Sequence, residues 1–279
     1  MDMQAALLAG KLLLHAYADD DKPNYDGMTY EGFNVIQTIY SDDLATDISP
    51  SIDPIRDAVS IGFVARNSAA PDEYQIVIRG TVGVFEWIQD AKFLPRPFSA
   101  IPGAGLTEDG FTDMFDALRV GPGPQSGRLT PALAGLLGGA KCKLTICGHS
   151  LGSALATLLA LDVAVNTPYK QPTLITFASP RVGDTHFANY FNAVVPECYR
   201  IANRRDVVTH LPFPPLYIHL EDETQLNPLN TVNPTLACEH AMNTYLFLLS
   251  KGEIPLDPQS VPPPSEPIPK FLSGILSGI

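Results

Sequence analysis

Two hydrophobic patterns alternate along this chain. Short apolar runs bounded by Gly, Pro, Asn or Asp are typical of strands, and longer runs with apolar positions three and four residues apart are typical of helices. Their alternation predicts a mostly parallel sheet with helices on both faces. Strands are predicted at 33–40, 59–65, 74–79, 144–147, 173–177, 198–202 and 216–220, and helices at 3–18, 107–118, 131–137, 153–165, 185–192 and 242–249.

The composition of the chain changes near residue 252. An apolar content of 45% is enough for the core of one α/β domain, and we expect this domain to span residues 1–252. Residues 254–269 are rich in proline, so the remainder, 253–279, is predicted to be an extended tail with a short apolar end.

The stretch 143–165 combines a strand, a turn and a helix. The turn is Gly-His-Ser-Leu-Gly at 148–152, and the following run at 153–165 is apolar nearly all round. In this setting the serine of a G-x-S-x-G pentapeptide projects its hydroxyl above the sheet as a nucleophile. A Cβ on either flanking glycine would collide with the neighbouring strand and helix. Ser150 is therefore the candidate nucleophile, and the alternative is a glycine-rich connection with an inert serine.

A serine hydroxyl needs a general base within reach and an acid that orients this base. After a nucleophile elbow, the acid and then the histidine follow in the chain. This order excludes His15 and His149 as the base. His240 stands just before the final predicted helix, where a loop can bring its imidazole over the serine. It is the candidate base, and the alternative is a surface histidine at the start of a helix.

Two aspartates are candidates for the acid. Asp206 follows the predicted strand 198–202, at the end of the strand where sites in open parallel sheets gather. Asp184 follows a Ser-Pro-Arg-Val-Gly run and is interpreted more simply as a helix N-cap or an ion-pair partner. We therefore expect Asp206 to be the acid.

An oxyanion hole needs two N–H donors, one of them from the residue after the nucleophile. That residue is Leu151. The second donor is expected from a loop after an earlier strand, and Thr81, which follows the strand 74–79 and Gly80, is best placed. Thr81 is alternatively a helix N-cap.

Seven short motifs recur in order between about residues 60 and 250. They are RGT at 79–81, EWIQD at 86–90, GF at 110–111, GHSLG at 148–152, FASPRVG at 177–183, NRRDVVTHLP at 203–212, and His240 followed by YL at 245–246. In this order they resemble the class 3 lipase family, which includes the fungal triacylglycerol lipases and related feruloyl esterases. The resemblance implies an α/β-hydrolase fold, a Ser150–Asp206–His240 triad, and oxyanion donors at Thr81 and Leu151.

The resemblance also implies a lid at about 83–93. Phe85, Trp87 and Phe93 would give this segment an apolar face. A lid of this kind opens at a lipid surface and exposes the site. The alternative is that the three aromatic side chains pack permanently against the core.

Charge and cysteine content narrow the range of partners. A net charge of −12 disfavours nucleic acid as a partner, and the absence of a C-x-x-C pair argues against a zinc site. No cofactor or metal is expected. The N-terminus lacks the basic region of a signal peptide, so we expect a cytoplasmic location or signal-independent secretion. The cysteines do not form a disulfide framework, which favours a bacterial or intracellular member of the family.

The sequence thus predicts a serine carboxylic-ester hydrolase, with a triacylglycerol lipase or esterase as the leading assignment. Its substrate would be an acyl ester or lipid, with transient contact to a lipid interface. The alternatives on the same fold are a phospholipase A1, a feruloyl esterase and a non-catalytic lipase-like binding protein. The oligomeric state is not determined by the sequence.

Overall fold

The computed structural model of the chain describes residues 1–18, 24–41, 58–81, 93–122, 126–139, 141–228 and 230–262. Its helices and strands are numbered in chain order. The strands are β1 Thr29–Tyr30, β2 Phe33–Ser41, β3 Val59–Asn67, β4 Glu73–Ile78, β5 Pro95–Pro97, β6 Leu106–Glu108, β7 Leu118–Arg119, β8 Lys143–His149, β9 Thr173–Phe177, β10 Cys198–Asn203 and β11 Glu223–Leu226. The helices are α1 Met3–Ala18, α2 Asp109–Asp116, α3 Leu129–Leu136, α4 Leu151–Asn166, α5 Thr185–Val194, α6 Leu236–His240 and α7 Met242–Leu249.

Within the described ranges, nine strands form one sheet in the order β1-β2-β3-β4-β8-β9-β10-β11, with β7 beside β2. The pairs β4–β8, β8–β9, β9–β10 and β10–β11 are parallel. The pairs β1–β2, β2–β3, β3–β4 and β2–β7 are antiparallel. The carboxyl ends of β4, β8, β9 and β10 therefore meet at one edge of the sheet. Loops that follow these strands lie side by side there, which is where sites form in open α/β sheets.

Apolar side chains on both faces of the sheet hold the helices. Successive strand residues point to opposite faces, and adjacent positions accordingly enter different cores. Ile146 packs with α4, α2 and α5 on one face, whereas Cys147 packs with α1 and α7 on the other. The predicted mostly parallel sheet with helices on both faces is confirmed. No helix in the described part of the chain is long and apolar enough to cross a membrane.

Two local predictions were wrong. Residues 216–220 were predicted as a strand, but the last strand is β11 at Glu223–Leu226. Tyr217 and Leu220 are buried without forming a strand. Leu220 packs in the main core, and Ile218 makes an isolated bridge to Gly183. The second error concerns the helix predicted at 107–118. This helix, α2, begins only at Asp109, because the side chain of Glu108 caps it by accepting a hydrogen bond from Phe111 N at 2.8 Å.

The proline-rich segment begins packed against the domain. Residues Pro258–Ser260 form a short 3₁₀ turn, and Asn233 N donates to the Ser260 carbonyl at 2.8 Å. Asp257 N donates to Asn243 Oδ1 at 2.6 Å. Residues 257–260 are therefore held against residues 233 and 243 of the domain, and the boundary at 252 stays a prediction. Residues 263–279 lie outside the described residues.

Candidate active site

Ser150 stands at the sharp turn between β8 and α4. Its backbone has φ 59° and ψ −129°. Residues other than glycine rarely adopt a positive φ. Ser150 N donates to the Phe177 carbonyl of β9 at 3.0 Å, which fixes the turn to the neighbouring strand. The hydroxyl is buried and, among the described residues, has no hydrogen-bond partner. This strained turn has the backbone geometry that a nucleophile elbow requires.

The two glycines of the pentapeptide allow the elbow to close. A Cβ on Gly148 would lie 2.2 Å from the carbonyl oxygen of Gly152, and a Cβ on Gly152 would lie 2.2 Å from the carbonyl oxygen of Ile78 in β4. Both distances are shorter than any real Cβ contact, so each position requires glycine. The predicted collisions with the helix and with the neighbouring strand are both present.

The structure brings Asp206 and His240 together at the same edge. His240 ends α6, and its Nδ1 lies 2.8 Å from Asp206 Oδ2. The other carboxylate oxygen of Asp206 accepts a hydrogen bond from Val208 N at 3.0 Å. Both side chains are nearly fully buried. Asp206 can therefore fix the orientation of the imidazole and stabilise positive charge on it.

Tyr245, one turn into α7, provides a further anchor for the acid. Its hydroxyl donates to Asp206 Oδ2 at 2.7 Å and accepts a hydrogen bond from Asn203 N at 3.0 Å. Burial, and next the charge of Asp206, raise the pKa of Tyr245 well above its ordinary value. The phenol therefore stays protonated and remains a donor to the carboxylate.

Asn203, the last residue of β10, joins the loop that carries Asp206 to the helix that ends at His240. Its Nδ2 donates to both the carbonyl oxygen and Oε2 of Glu239, each at 2.8 Å. Its own carbonyl accepts from Asp206 N at 3.0 Å. Asn203 is completely buried, and its hydrogen bonds hold the residue before His240 against the loop of the acid.

His149 contacts the other side of the His240 peptide. Its Nε2 lies 2.9 Å from the His240 carbonyl oxygen, and its Nδ1 lies 2.7 Å from the hydroxyl of Tyr17 in α1. Burial, and next the proximity of His240, lower the pKa of His149 well below 6.5. His149 is therefore neutral near pH 7, and it belongs to the support of the site.

The candidate oxyanion donors lie beside the elbow. Leu151 is the first residue of α4, so its N–H stands at the positive end of a 16-residue helix. Thr81 follows Gly80, where an added Cβ would lie 2.9 Å from Ser150 Cβ. The loop after β4 thus passes directly against the serine. Asp184, the competing acid, caps α5 instead, accepting from Phe187 N at 2.8 Å.

Comparison with known proteins identifies the family. The sequence model described as Lipase (class 3) matches residues 75–215, about half of the chain. The chain belongs to the class 3 lipase family. Its relatives include a lipase of Rhizomucor miehei, 33% identical over 153 residues, which are 54% of this chain and 40% of the relative. Phospholipase A1-IIgamma of Arabidopsis thaliana is 38% identical over 118 residues, which are 37% of this chain and 28% of the relative.

These figures mean that the matches span less than half the length of both curated relatives. A solved structure of the Rhizomucor miehei triacylglyceride lipase superposes with a TM-score of 0.59 and 26% identity, covering 81% of each chain. The α/β-hydrolase fold implied by the motifs is confirmed.

Only the two ends of the segment predicted as a lid fall near described residues, and the lid stays a prediction. Phe85 and Trp87 lie outside the described residues. Phe93, at the end of the segment, has φ 50°, and its carbonyl oxygen accepts a hydrogen bond from Tyr217 Oη at 2.9 Å. This bond ties the end of the segment to the proline-rich loop after Asp206.

Sequence reasoning missed several residues around the triad. Asn203 and Tyr245 stood in the family motifs but were given no role, and His149 was considered only as a base. A polar residue at the buried end of a strand was a usable signal for Asn203. Tyr17 had no local signal, because α1 was interpreted as a packing helix.

Proposed function

We propose that this chain is a serine carboxylic-ester hydrolase with a triacylglycerol lipase or esterase activity. The observation that carries the proposal is the 2.8 Å contact between His240 Nδ1 and Asp206 Oδ2. The His240 carbonyl also lies 2.9 Å from the side chain of His149, the residue before Ser150. Membership of the class 3 lipase family supports it. The Rhizomucor miehei relative is itself named a lipase.

The proposed reaction proceeds through an acyl-enzyme. Ser150 Oγ attacks the ester carbonyl while His240 Nε2 accepts its proton, and Asp206 stabilises the resulting imidazolium. The N–H groups of Thr81 and Leu151 stabilise the oxyanion. His240 then protonates the leaving alcohol. Water, deprotonated by the same imidazole, attacks the acyl-enzyme and releases the carboxylic acid.

A p-nitrophenyl ester series from short to long acyl chains tests this proposal. We expect wild type to hydrolyse the series and Ser150→Ala to lose activity by a factor of at least about 10⁴. Ser41→Ala is the matched control, since it also removes a buried serine hydroxyl that has no hydrogen-bond partner among the described residues, at the end of β2. A folded wild type that hydrolyses no ester, or a fully active Ser150→Ala, would contradict the proposal.

We also infer that the substrate is met at a lipid surface. Four large apolar side chains are exposed, three of them on loops and one at the start of α6, the helix that ends at His240. They are Leu94, Phe213, Leu216 and Leu236, with exposed fractions of 55%, 69%, 48% and 56%. Leu94 and Leu216 are chain neighbours of Phe93 and Tyr217, which are hydrogen-bonded to each other. An exposed apolar patch of this kind supports interaction with a lipid surface.

Phe213→Ser tests the lipid surface. We expect about a tenfold loss of activity on emulsified triolein, with hydrolysis of dissolved p-nitrophenyl acetate unchanged. Met3→Ser is the matched control, because Met3 is 41% exposed at the first position of α1, about 20 Å along the helix from Tyr17. Equal losses on the emulsion for both variants would remove the special role of Phe213.

Phospholipase A1 activity is the second candidate, and two arginines favour it. Arg204 and Arg205 directly precede Asp206 at the carboxyl end of β10, and the Arg204 side chain is exposed. Guanidinium groups at this position would bind the phosphate of a phospholipid.

Arg204→Gln tests this second candidate and should lower hydrolysis of phosphatidylglycerol relative to triolein. Arg66→Gln is the control, because Arg66 pairs with Tyr74 at the opposite edge of the sheet. Equal effects of the two variants would reject the candidate.

A further inference from the structure

Tyr17 connects the N-terminal helix to both sides of the site. It is the penultimate residue of α1. Its hydroxyl oxygen lies 2.8 Å from Gly80 N and 2.7 Å from His149 Nδ1. Gly80 precedes the candidate oxyanion donor Thr81, and His149 precedes the candidate nucleophile. α1 lies outside the stretch 75–215 that matches the family.

The direction of each of these hydrogen bonds follows from two groups that have only one possible role, the Gly80 N–H and the His240 carbonyl. At one end, Gly80 N–H can only donate, so the Tyr17 oxygen accepts. At the other end, the His240 carbonyl can only accept, so His149 carries its proton on Nε2, 2.9 Å away. His149 Nδ1 is then an acceptor, and the Tyr17 hydroxyl donates to it.

The neutral state of His149 agrees with this assignment. Its complete burial, with His240 as the next cause, holds its pKa well below 6.5. A neutral imidazole carries one proton, and the three hydrogen bonds place it on Nε2. The order is Gly80 N–H to Tyr17 Oη, Tyr17 O–H to His149 Nδ1, and His149 Nε2–H to His240 O.

These three hydrogen bonds connect the candidate oxyanion loop to the candidate base. One end holds the peptide before Thr81, and the other end holds the backbone of the base. Both groups act only when they are placed to within about 0.5 Å. Gly80 is also packed tightly, because an added Cβ would lie 2.9 Å from Tyr17 Oη.

We propose that Tyr17 is a positioning residue for the reaction, which sets the distance between the oxyanion loop and the His240 loop through His149. The proposal rests on the ester hydrolysis proposed above. Tyr17 would not touch the reacting atoms. Its loss should therefore weaken stabilisation of the transition state and leave substrate binding almost unchanged.

A purely structural role for Tyr17 makes a different prediction. In that case its hydroxyl would only fasten α1 to the sheet. Tyr25 provides the comparison, because its buried hydroxyl donates to the Ala16 carbonyl at 2.9 Å and fastens the same end of α1. Tyr25→Phe therefore removes a phenol hydrogen bond to α1 and leaves the three hydrogen bonds between Gly80 and His240 in place.

The experiment measures kcat, KM and the free energy of unfolding for Tyr17→Phe and Tyr25→Phe with a soluble p-nitrophenyl ester. For Tyr17→Phe we expect kcat to fall between about 10-fold and 100-fold, the range for groups that orient a reacting residue from behind. KM should change less than about twofold. Tyr25→Phe should lower stability to a similar extent and keep its kcat.

A second variant keeps the test decisive if one protein folds poorly. His149→Gln breaks the same chain at its middle, so the double variant with Tyr17→Phe should be no slower than the slower single variant. A Tyr17→Phe kcat within twofold of wild type, or multiplicative losses in the double variant, would overturn the inference. A wild type without esterase activity would instead reject the proposed function.

Discussion

Tyr245→Phe removes one hydroxyl from the interior of the site. The hydroxyl bridges Asn203 N, 3.0 Å away, and Asp206 Oδ2, 2.7 Å away. Phenylalanine keeps the ring, which is fully buried and packs edge-on against Phe177 with centroids 6.3 Å apart. The substitution therefore tests the two hydrogen bonds and leaves the packing in place.

The structure sets the expected size of the effect. A hydrogen bond to a carboxylate contributes about 1.5–3 kcal/mol, and leaving the buried Asn203 N–H unpaired costs about 1–3 kcal/mol. We expect the free energy of unfolding to fall by about 4 kcal/mol, which lowers Tm by roughly 8–16 °C. Asp206 keeps its contacts with Val208 and His240. Activity should therefore fall about tenfold, or 1.4 kcal/mol, and not vanish.

Thermal and urea denaturation measure the stability of this variant, and initial rates with a soluble p-nitrophenyl ester measure kcat/KM. Tyr25→Phe is the control, since it loses one hydrogen bond to a neutral carbonyl, worth about 1 kcal/mol, and should keep its kcat/KM. If Tyr245→Phe melts at the same temperature as Tyr25→Phe, or hydrolyses ester as fast as wild type, the assigned anchoring of Asp206 is wrong.

Three further predictions concern neighbouring groups. Gly80→Ala should fold yet lose at least about 100-fold in kcat, as measured by ester hydrolysis, because its Cβ would lie 2.9 Å from Ser150 Cβ. Burial, as the main cause, lowers the pKa of His149 and brings that of His219 to about 3. Because the unfolded chain takes up protons at these histidines first, the free energy of unfolding should fall as pH drops below about 6.5, by about 2 kcal/mol at pH 5 for His219 and by a further amount for His149. Urea denaturation at pH 7 and pH 5 would detect this loss. Burial raises the pKa of Cys198 to about 12, so its thiol should react with Ellman's reagent at pH 8 only after unfolding.

Local sequence determines the elbow, which is why it could be predicted. Ser150 needs its two glycines within two residues on either side, and the strand and helix follow directly. Asp206 could be placed because it follows the end of a recognisable strand. Asp206 and its predicted partner His240 lie 34 residues apart in the sequence. Only the order of the motifs along the chain indicated that they would meet.

The rest of the site depends on contacts that no local pattern records. Tyr17 and His149 are 132 residues apart, and the helical pattern of α1 reports only its apolar face. The error at the last strand has a similar cause. β11 is a half-exposed edge strand with little apolar signal, whereas Tyr217 and Leu220 are apolar and buried although they lie outside any strand. Burial by tertiary packing therefore resembled the signal of a strand.

Labelling with a fluorophosphonate, followed by mass mapping of the modified peptide, tests the central claim most directly. The account predicts one adduct per chain on Ser150, formed rapidly in wild type and much more slowly in His240→Ala, because the serine needs its base. Ser153 should remain unmodified, since its hydroxyl donates to the carbonyls of Gly148 and Phe177. A folded wild type that forms no adduct, or one modified at another residue, would contradict the assignment of Ser150 as the nucleophile.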